Sequence, residues 1–313
     1  MAVASALVTE TLTYRANGMM FAALTWGPAD GPLALCLHGY PDTAWSWRHL
    51  GPYLAGLGWR VVAPFTRGYG PSDLAPDGNY QVGALACDAV AAHEALGGDG
   101  RSVLIGHDWG AICLYPAVAH SPDRFSRAVA LAVPPLGALG GRPPDGWRAE
   151  AVLLAKQSRR SWYLAFQQLP RVSERSLDRL IPKLWADWSP GYDAQEDIAH
   201  VFESLDTPKR RTAALSYYRA MARPWRHSAS YAEFQRRWLD VPTSPVLYLH
   251  GDQDGCLLAD YAFRAGSALS GDSRVELVEG AGHFLHLERP DEVNRLIGAF
   301  LGRAEDHFVA PGA

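Results

Sequence analysis

The residues of this 313-residue chain best placed to do chemistry lie in Gly106-His107-Asp108-Trp109-Gly110. The apolar run Val103-Leu104-Ile105 precedes them and Ala111-Ile112-Cys113-Leu114 follows, so the pentapeptide reads as a sharp turn from a buried strand into a helix. A small-x-acid-x-small turn of this kind holds its central side chain clear of the strand. The flanking glycines remove side chains that would clash with the neighbouring strand and helix. At the positive end of a helix a carboxylate stays ionised.

Two further loops carry polar groups after apolar runs. His250-Gly251-Asp252-Gln253-Asp254-Gly255 follows Pro245–His250, and Gly280-Ala281-Gly282-His283-Phe284 follows Val275–Val278. In chain order this gives a carboxylate at Asp108, an acid and a histidine, with His283 as the base and the acid orienting its ring. Asp254 is preferred to Asp252 because the fourth position of the turn points into the site. A third loop, His38-Gly39-Tyr40-Pro41-Asp42, offers a backbone donor. The N–H groups of Tyr40 and Trp109 would together form an oxyanion hole. Pro41 stiffens the turn and allows a cis Tyr40–Pro41 bond.

An Asp at the reacting position selects the chemistry. Against esters or amides a carboxylate is a poor reagent, because the acyl product is anhydride-like. Against a saturated carbon bearing a leaving group it is effective in-line, and gives an alkyl ester of the protein that His283-activated water can hydrolyse. Esterase, lipase and thioesterase readings are disfavoured; epoxides, haloalkanes and haloacids remain. The His283/His286 spacing has no third ligand or HExxH context, and there is no GxGxxG or P-loop, so neither metal nor cofactor is expected.

The elements that must position these groups alternate strand, loop and helix. Leu7–Tyr14 and Met19–Trp26 read as a hairpin around Asn17-Gly18. Strands follow at Pro32–Leu37, Arg60–Pro64, the run before the Asp108 turn, Arg127–Val133, Pro245–His250 and Val275–Val278. Helices are expected after Asp42, over Tyr80–Leu96 and 109–120, and over Asp291–Leu301. This is an α/β chain with a mostly parallel central sheet and helices on both faces. From 137 to 240 the texture is helical and rich in Arg, Trp and Tyr, with no convincing strand. That block is expected to be a cap inserted between two parts of one core, 1–136 and 241–313, and the tail after Arg303 is expected to fray.

A hydrophobic content of 48% supports a large core, and a net charge of -4 gives no footprint for nucleic acid or an anionic membrane. The four cysteines form no CxxC pair, the N-terminus lacks a basic leader region, and no run approaches membrane-spanning length. The expectation is a cytoplasmic protein acting on a small molecule, as a monomer or homodimer, without nucleic-acid or membrane partners.

The set HGYPD, RGYGPSD, GHDWG, HGDQDG and GAGHF, spread over about Leu7–Leu301, resembles the epoxide hydrolases of the α/β-hydrolase fold, close relatives of the haloalkane and fluoroacetate dehalogenases. The resemblance implies that fold, with Asp108, Asp254 and His283 as its triad, and a hydrophobic epoxide as substrate. It also implies two cap tyrosines that protonate the opening oxygen. These are Tyr163, seven residues before Pro170, and Tyr218, just before Arg219, with Trp162 and Tyr217 as the alternatives. His38, Pro41, Trp162 and Tyr217 are placed at the substrate pocket. Haloalkane dehalogenation with the same triad is the alternative activity. Many such enzymes have Asn where this chain has Tyr40, and fluoroacetate dehalogenases carry Arg where this chain has Trp109.

Overall fold

The computed structural model describes residues 9–139 and 146–304. Its eight strands form one sheet: β1 (Glu10–Ala16), β2 (Met19–Trp26), β3 (Leu33–Leu37), β4 (Arg60–Pro64), β5 (Val103–His107), β6 (Arg127–Leu131), β7 (Val246–Gly251) and β8 (Arg274–Val278). The order is β1-β2-β4-β3-β5-β6-β7-β8. Pairings β1–β2 and β2–β4 are antiparallel and the rest are parallel. Strands β3, β5 and β7 are buried at every residue, as expected of strands covered on both faces. Positions 7 and 8 of the expected first strand lie outside the described residues. So does the tail from 305, although Ala304 is still tied by its N–H to the Leu57 carbonyl.

The described helices of the first part are α1 (Leu50–Gly56), α2 (Val82–Ala95) and α3 (Trp109–His120). The segment after Asp42 is a 3-10 turn, Ala44–Trp47, capped by the Thr43 side chain, before α1 begins. Between β6 and β7 come α4 (Trp147–Arg160), α5 (Trp162–Phe166), α6 (Val172–Trp188), α7 (Gln195–Ser204), α8 (Pro208–Met221) and α9 (Ala232–Arg236), with no strand among the described residues. Helix α9 lies against α2 and α3 of the core: the Gln235 side chain accepts from Gly83 N–H, and Phe234 stacks on His120. The last part holds α10 (Asp260–Ala268), α11 (Leu285–Glu288) and α12 (Pro290–Leu301). The sequence reading had no helix at α10 or α11.

Helix α6 shows how the inserted block meets the sheet. Leu177, Leu180, Ile181, Leu184, Trp185 and Trp188 recur at helical spacing and are all buried, a continuous apolar face. Its C-terminal end reaches the loops after β7 and β8, where the Trp188 carbonyl accepts from the N–H groups of Gly255 and His283. A Cβ on Gly255 would lie 1.9 Å from the Asp187 carbonyl oxygen, so only glycine admits this approach. On the other side Arg67 is buried, with Nε 2.5 Å from Asp88 Oδ2 and Nη2 2.6 Å from Asp88 Oδ1. This bidentate pair fixes the loop whose Arg67 carbonyl receives the Tyr217 hydroxyl at 2.7 Å.

Candidate active site

Asp108 stands between β5 and α3 with φ +49 and ψ -113, a conformation strained for a residue with a side chain. The strain is held by bonds on both sides. Asp108 N–H donates to the Leu131 carbonyl, and its own carbonyl accepts from Ile112 N–H. Although Asp108 occupies the capping position of α3, its side chain makes no capping bond. The carboxylate is turned instead toward the loop after β3, where Oδ1 accepts from Tyr40 N–H at 2.8 Å. A Cβ on Gly39 would lie 2.4 Å from that oxygen, so the loop can come this close only because residue 39 is glycine. The Tyr40–Pro41 bond is cis. Trp109, the first residue of α3, has an N–H that no carbonyl of its own helix can take.

On the other carboxylate oxygen stands His283, with Nε2 3.6 Å from Asp108 Oδ2. Its Nδ1 is 2.9 Å from Asp254 Oδ2. Asp254 Oδ1 in turn accepts from the N–H groups of Cys256 at 2.6 Å and Leu257 at 3.0 Å. Burial opposes charge on Asp254, but the His283 imidazole, with His250 and the Leu257 N–H adding to it, keeps the carboxyl below the ordinary carboxylate range. Burial also opposes charge on His283, but the Asp254 and Asp108 carboxylates outweigh it and push the imidazole up to about 10. Asp252, the other acid of the turn, faces away: its Oδ1 accepts from Gly280 N–H in a bond at the surface.

Tyr163 on α5 and Tyr218 on α8 are both buried, their rings edge-to-face with centroids 5.8 Å apart. Tyr218 also packs edge-on against Tyr40 and Trp109, with centroids 5.1 and 5.0 Å away, and its hydroxyl has no hydrogen-bond partner among the described residues. Tyr163 Oη lies 3.4 Å from Cys256 Sγ. Burial, then the neighbouring Tyr163 hydroxyl and the Asp108 carboxylate, push the Tyr218 phenol well above its ordinary value, so it keeps its proton. For Tyr163, burial leads and Cys256 adds to the same effect.

The other expected pocket residues fall in different places. Trp162 is 39% exposed, with its ring near Phe166, while its neighbour Tyr163 points inward. The Tyr217 hydroxyl bonds Thr66 Oγ1 and the Arg67 carbonyl, so its ring walls the site edge-on to Trp109 with its oxygen occupied. His38 is buried, its Nε2 accepting from Thr66 N–H. The Pro41 carbonyl accepts the indole N–H of Trp185. His286 lies behind His283, stacked on Trp47 with Nε2 2.5 Å from Ser46 Oγ, so the two histidines face different partners.

Three contributors escaped the sequence reading. Arg219 ties α8 to α5 and α6 through the Gln167 carbonyl, Ser173 Oγ and Glu174. Its adjacency to Tyr218 was the only available signal. Gln157 accepts from Leu258 N–H and donates to the Cys256 carbonyl, fastening α4 to the Asp254 turn. The third, Cys256, entered the sequence reading only as one of four cysteines with no CxxC partner.

The chain matches the family model described as alpha/beta hydrolase fold over residues 32–290. It is 29% identical to epoxide hydrolase A of Mycobacterium tuberculosis, over 91% of this chain and 95% of that protein. It resembles the crystal structure of epoxide hydrolase A from Mycobacterium thermoresistibile with a TM-score of 0.74 at 26% identity, covering 94% of this chain and 98% of that one. An epoxide hydrolase from an endophytic Streptomyces gives a TM-score of 0.70 at 26% identity, covering 95% and 96%. With a sheet, a turn and a loop order of this kind, and a family model spanning most of its length, the chain belongs to the α/β-hydrolase-fold family.

Proposed function

We propose that this protein hydrolyses epoxides to vicinal diols through a covalent ester on Asp108. The observation that carries the reading is the pair of buried tyrosines beside the Asp108 carboxylate, one of them with a hydroxyl that has no partner among the described residues. Ring opening turns an ether oxygen into an alkoxide, and a basic alkoxide needs a proton donor at the oxygen. Phenols that stay protonated are suited to that. The names of the relatives point the same way.

In the first step an Asp108 oxygen attacks an epoxide carbon, the carbon–oxygen bond breaks, and Tyr218 with Tyr163 supplies the proton. In the second, His283 takes a proton from water, which adds to the ester carbonyl of Asp108. The Tyr40 and Trp109 N–H groups take the charge that develops on the carbonyl oxygen. The proton that His283 carried before esterification restores the phenol. The proton it then takes from water stays on the imidazole beside the restored Asp108 charge, and the added hydroxyl's proton passes to the departing alkoxide as collapse frees the diol and the carboxylate, so the cycle balances without metal or cofactor. Timing follows from electrostatics. While Asp108 is charged, His283 is held protonated; esterification removes that charge and lowers the imidazole toward the range of a base. Helices of the block 137–240 act as the cap that brings the tyrosines over the carboxylate.

Haloalkane dehalogenation is the second reading, favoured by the buried indole N–H of Trp109, which has no partner among the described residues. Trp185 does not supply a second halide donor, since its N–H is taken by Pro41. A panel of styrene-type, aliphatic and fatty epoxides, run beside chloro- and bromoalkanes, tests the choice. Diol from at least one epoxide class and no halide release is the expected result. Halide release with no diol would overturn it.

A further inference from the structure

The loop that carries His283 is held by a carboxylate with no part in the reaction steps above. Three successive N–H groups of that loop are bound. Gly282 N–H donates to Glu288 Oε2 at 2.8 Å. His283 N–H donates to the Trp188 carbonyl at 2.9 Å. Phe284 N–H donates to Ser189 Oγ at 3.1 Å, and the Ser189 hydroxyl donates in turn to Glu288 Oε1 at 2.5 Å. The two oxygens of Glu288 thus grip the peptide on both sides of His283, one directly and one through Ser189. Ser189 is buried and follows the last residue of α6, so the inserted block completes the grip. A Cβ on Gly282 would lie 2.6 Å from the Trp188 carbonyl oxygen, so only glycine lets the loop come this close to the end of α6.

The directions of these bonds are fixed by chemistry. A backbone N–H can only donate, so Gly282 and Phe284 need acceptors. Ser189 Oγ accepts from Phe284 and has one proton of its own, which the carboxylate takes. Burial raises the Glu288 carboxyl above its ordinary range, while the Ser189 and Gly282 bonds and the His283 charge act to keep it ionised. The aim of the imidazole depends on where this loop sets its backbone. Nδ1 must meet Asp254 at 2.9 Å while Nε2 faces Asp108 at 3.6 Å. Ester formation needs the Asp108 carboxylate and the phenols, whereas ester hydrolysis needs an aimed imidazole to draw a proton from water.

We infer that Glu288 is a positioning residue for His283, holding Gly282 directly and Phe284 through Ser189 so that the imidazole is aimed at the Asp108 ester. The inference rests on the epoxide reading above. Glu288 touches neither substrate nor the reacting atoms, and no covalent bond to it forms or breaks. Its effect falls on the hydrolysis of the ester and not on its formation.

Stopped-flow measurement of ester formation and hydrolysis with a styrene-type epoxide tests this on Glu288→Ala, Glu288→Gln, Ser189→Ala and the Glu288→Ala/Ser189→Ala pair. Glu288→Ala is expected to slow hydrolysis about 10- to 100-fold, the cost of a misplaced catalytic group, with formation within about twofold of wild type. Glu288→Gln keeps an acceptor for Gly282 N–H and offers an amide N–H to Ser189 Oγ, so hydrolysis should stay within about threefold of wild type. Ser189→Ala should slow hydrolysis about 5- to 10-fold, the worth of one net hydrogen bond. In the Glu288→Ala background it should cost little further, because both act through one grip. Unchanged hydrolysis in Glu288→Ala would overturn the inference, as would unchanged hydrolysis in Ser189→Ala should the first variant not fold. Equal slowing of both steps would make the role a general one in folding, and Glu288→Gln as slow as Glu288→Ala would make it one of charge; either overturns positioning. Ester formed and cleared in the wild type, with no effect of these variants, would strike this inference alone. No ester in the wild type with any epoxide would strike the epoxide reading and this inference with it.

Discussion

His283 Nε2 stands 3.6 Å from Asp108 Oδ2 and has no hydrogen-bond partner among the described residues, a gap suited to ordering a water once Asp108 is an ester. The other ring nitrogen is fixed on Asp254 at 2.9 Å. Geometry thus divides the two steps: Asp108 can react without His283, but the ester cannot be cleared without it. His283→Gln should form the adduct and fail to release it. Intact-protein mass spectrometry after adding an epoxide should show a gain equal to the whole substrate mass, located at Asp108. Full turnover with no adduct would contradict the division.

The same pair sets a pH dependence. The folded-state value for His283 is raised from 6.5 to about 10, so its protonated form stabilises the fold. That contribution is complete below about pH 6.5 and is lost as pH rises through about 10. Asp108→Asn removes one of the two carboxylates responsible. In it the imidazole should titrate lower, so the fall in Tm, which still begins near pH 6.5, should be smaller and end at a lower pH. Histidine-selective NMR titration beside thermal melts measures both. An unchanged titration in Asp108→Asn would show that Asp108 does not hold the proton on His283.

Tyr218→Phe removes an unpartnered hydroxyl without opening a cavity. Loss of a general acid costs on the order of 10²–10⁴ in rate, moderated here because Tyr163 remains. Ester formation with epoxides should slow by about 10²-fold or more. Any trace of halide release from a bromoalkane should be unaffected, since halide needs no proton. Parallel slowing of both would remove the proton-donor role.

Much of this could be read without coordinates because the core obeys simple patterns. Strands β2 and β4 and helix α3 appear with the expected bounds, since alternation or unbroken burial leaves little choice of period. The position of Asp254 in its turn was enough to favour it over Asp252. What could not be read was direction and company. Trp162 and Tyr163 are adjacent on the five-residue helix α5, and which of them turns inward depends on the packing of Tyr218 and Trp188 against it. Helix α10 carries Gly266 and has no side-chain cap, so its signal was weak. The Cys256–Tyr163 contact joins residues 93 positions apart, beyond any local pattern.

Stability outside the site has one clear weak point. Asp88 neutralises the buried Arg67, which also anchors the Asn79 carbonyl. Asp88→Ala leaves a buried guanidinium without its carboxylate and should cost about 3–5 kcal/mol. Chemical denaturation should show this as a lower midpoint with an unchanged slope. A loss below about 1 kcal/mol would mean that water reaches Arg67 in the variant.

The central claim is that the oxygen first delivered to the diol comes from the Asp108 side chain and not from water. A single turnover in ¹⁸O-water, with enzyme in excess over epoxide, measures this directly. The account predicts unlabelled diol from that first turnover and ¹⁸O in the peptide carrying Asp108. Labelled diol, with no ¹⁸O in that peptide, would contradict it.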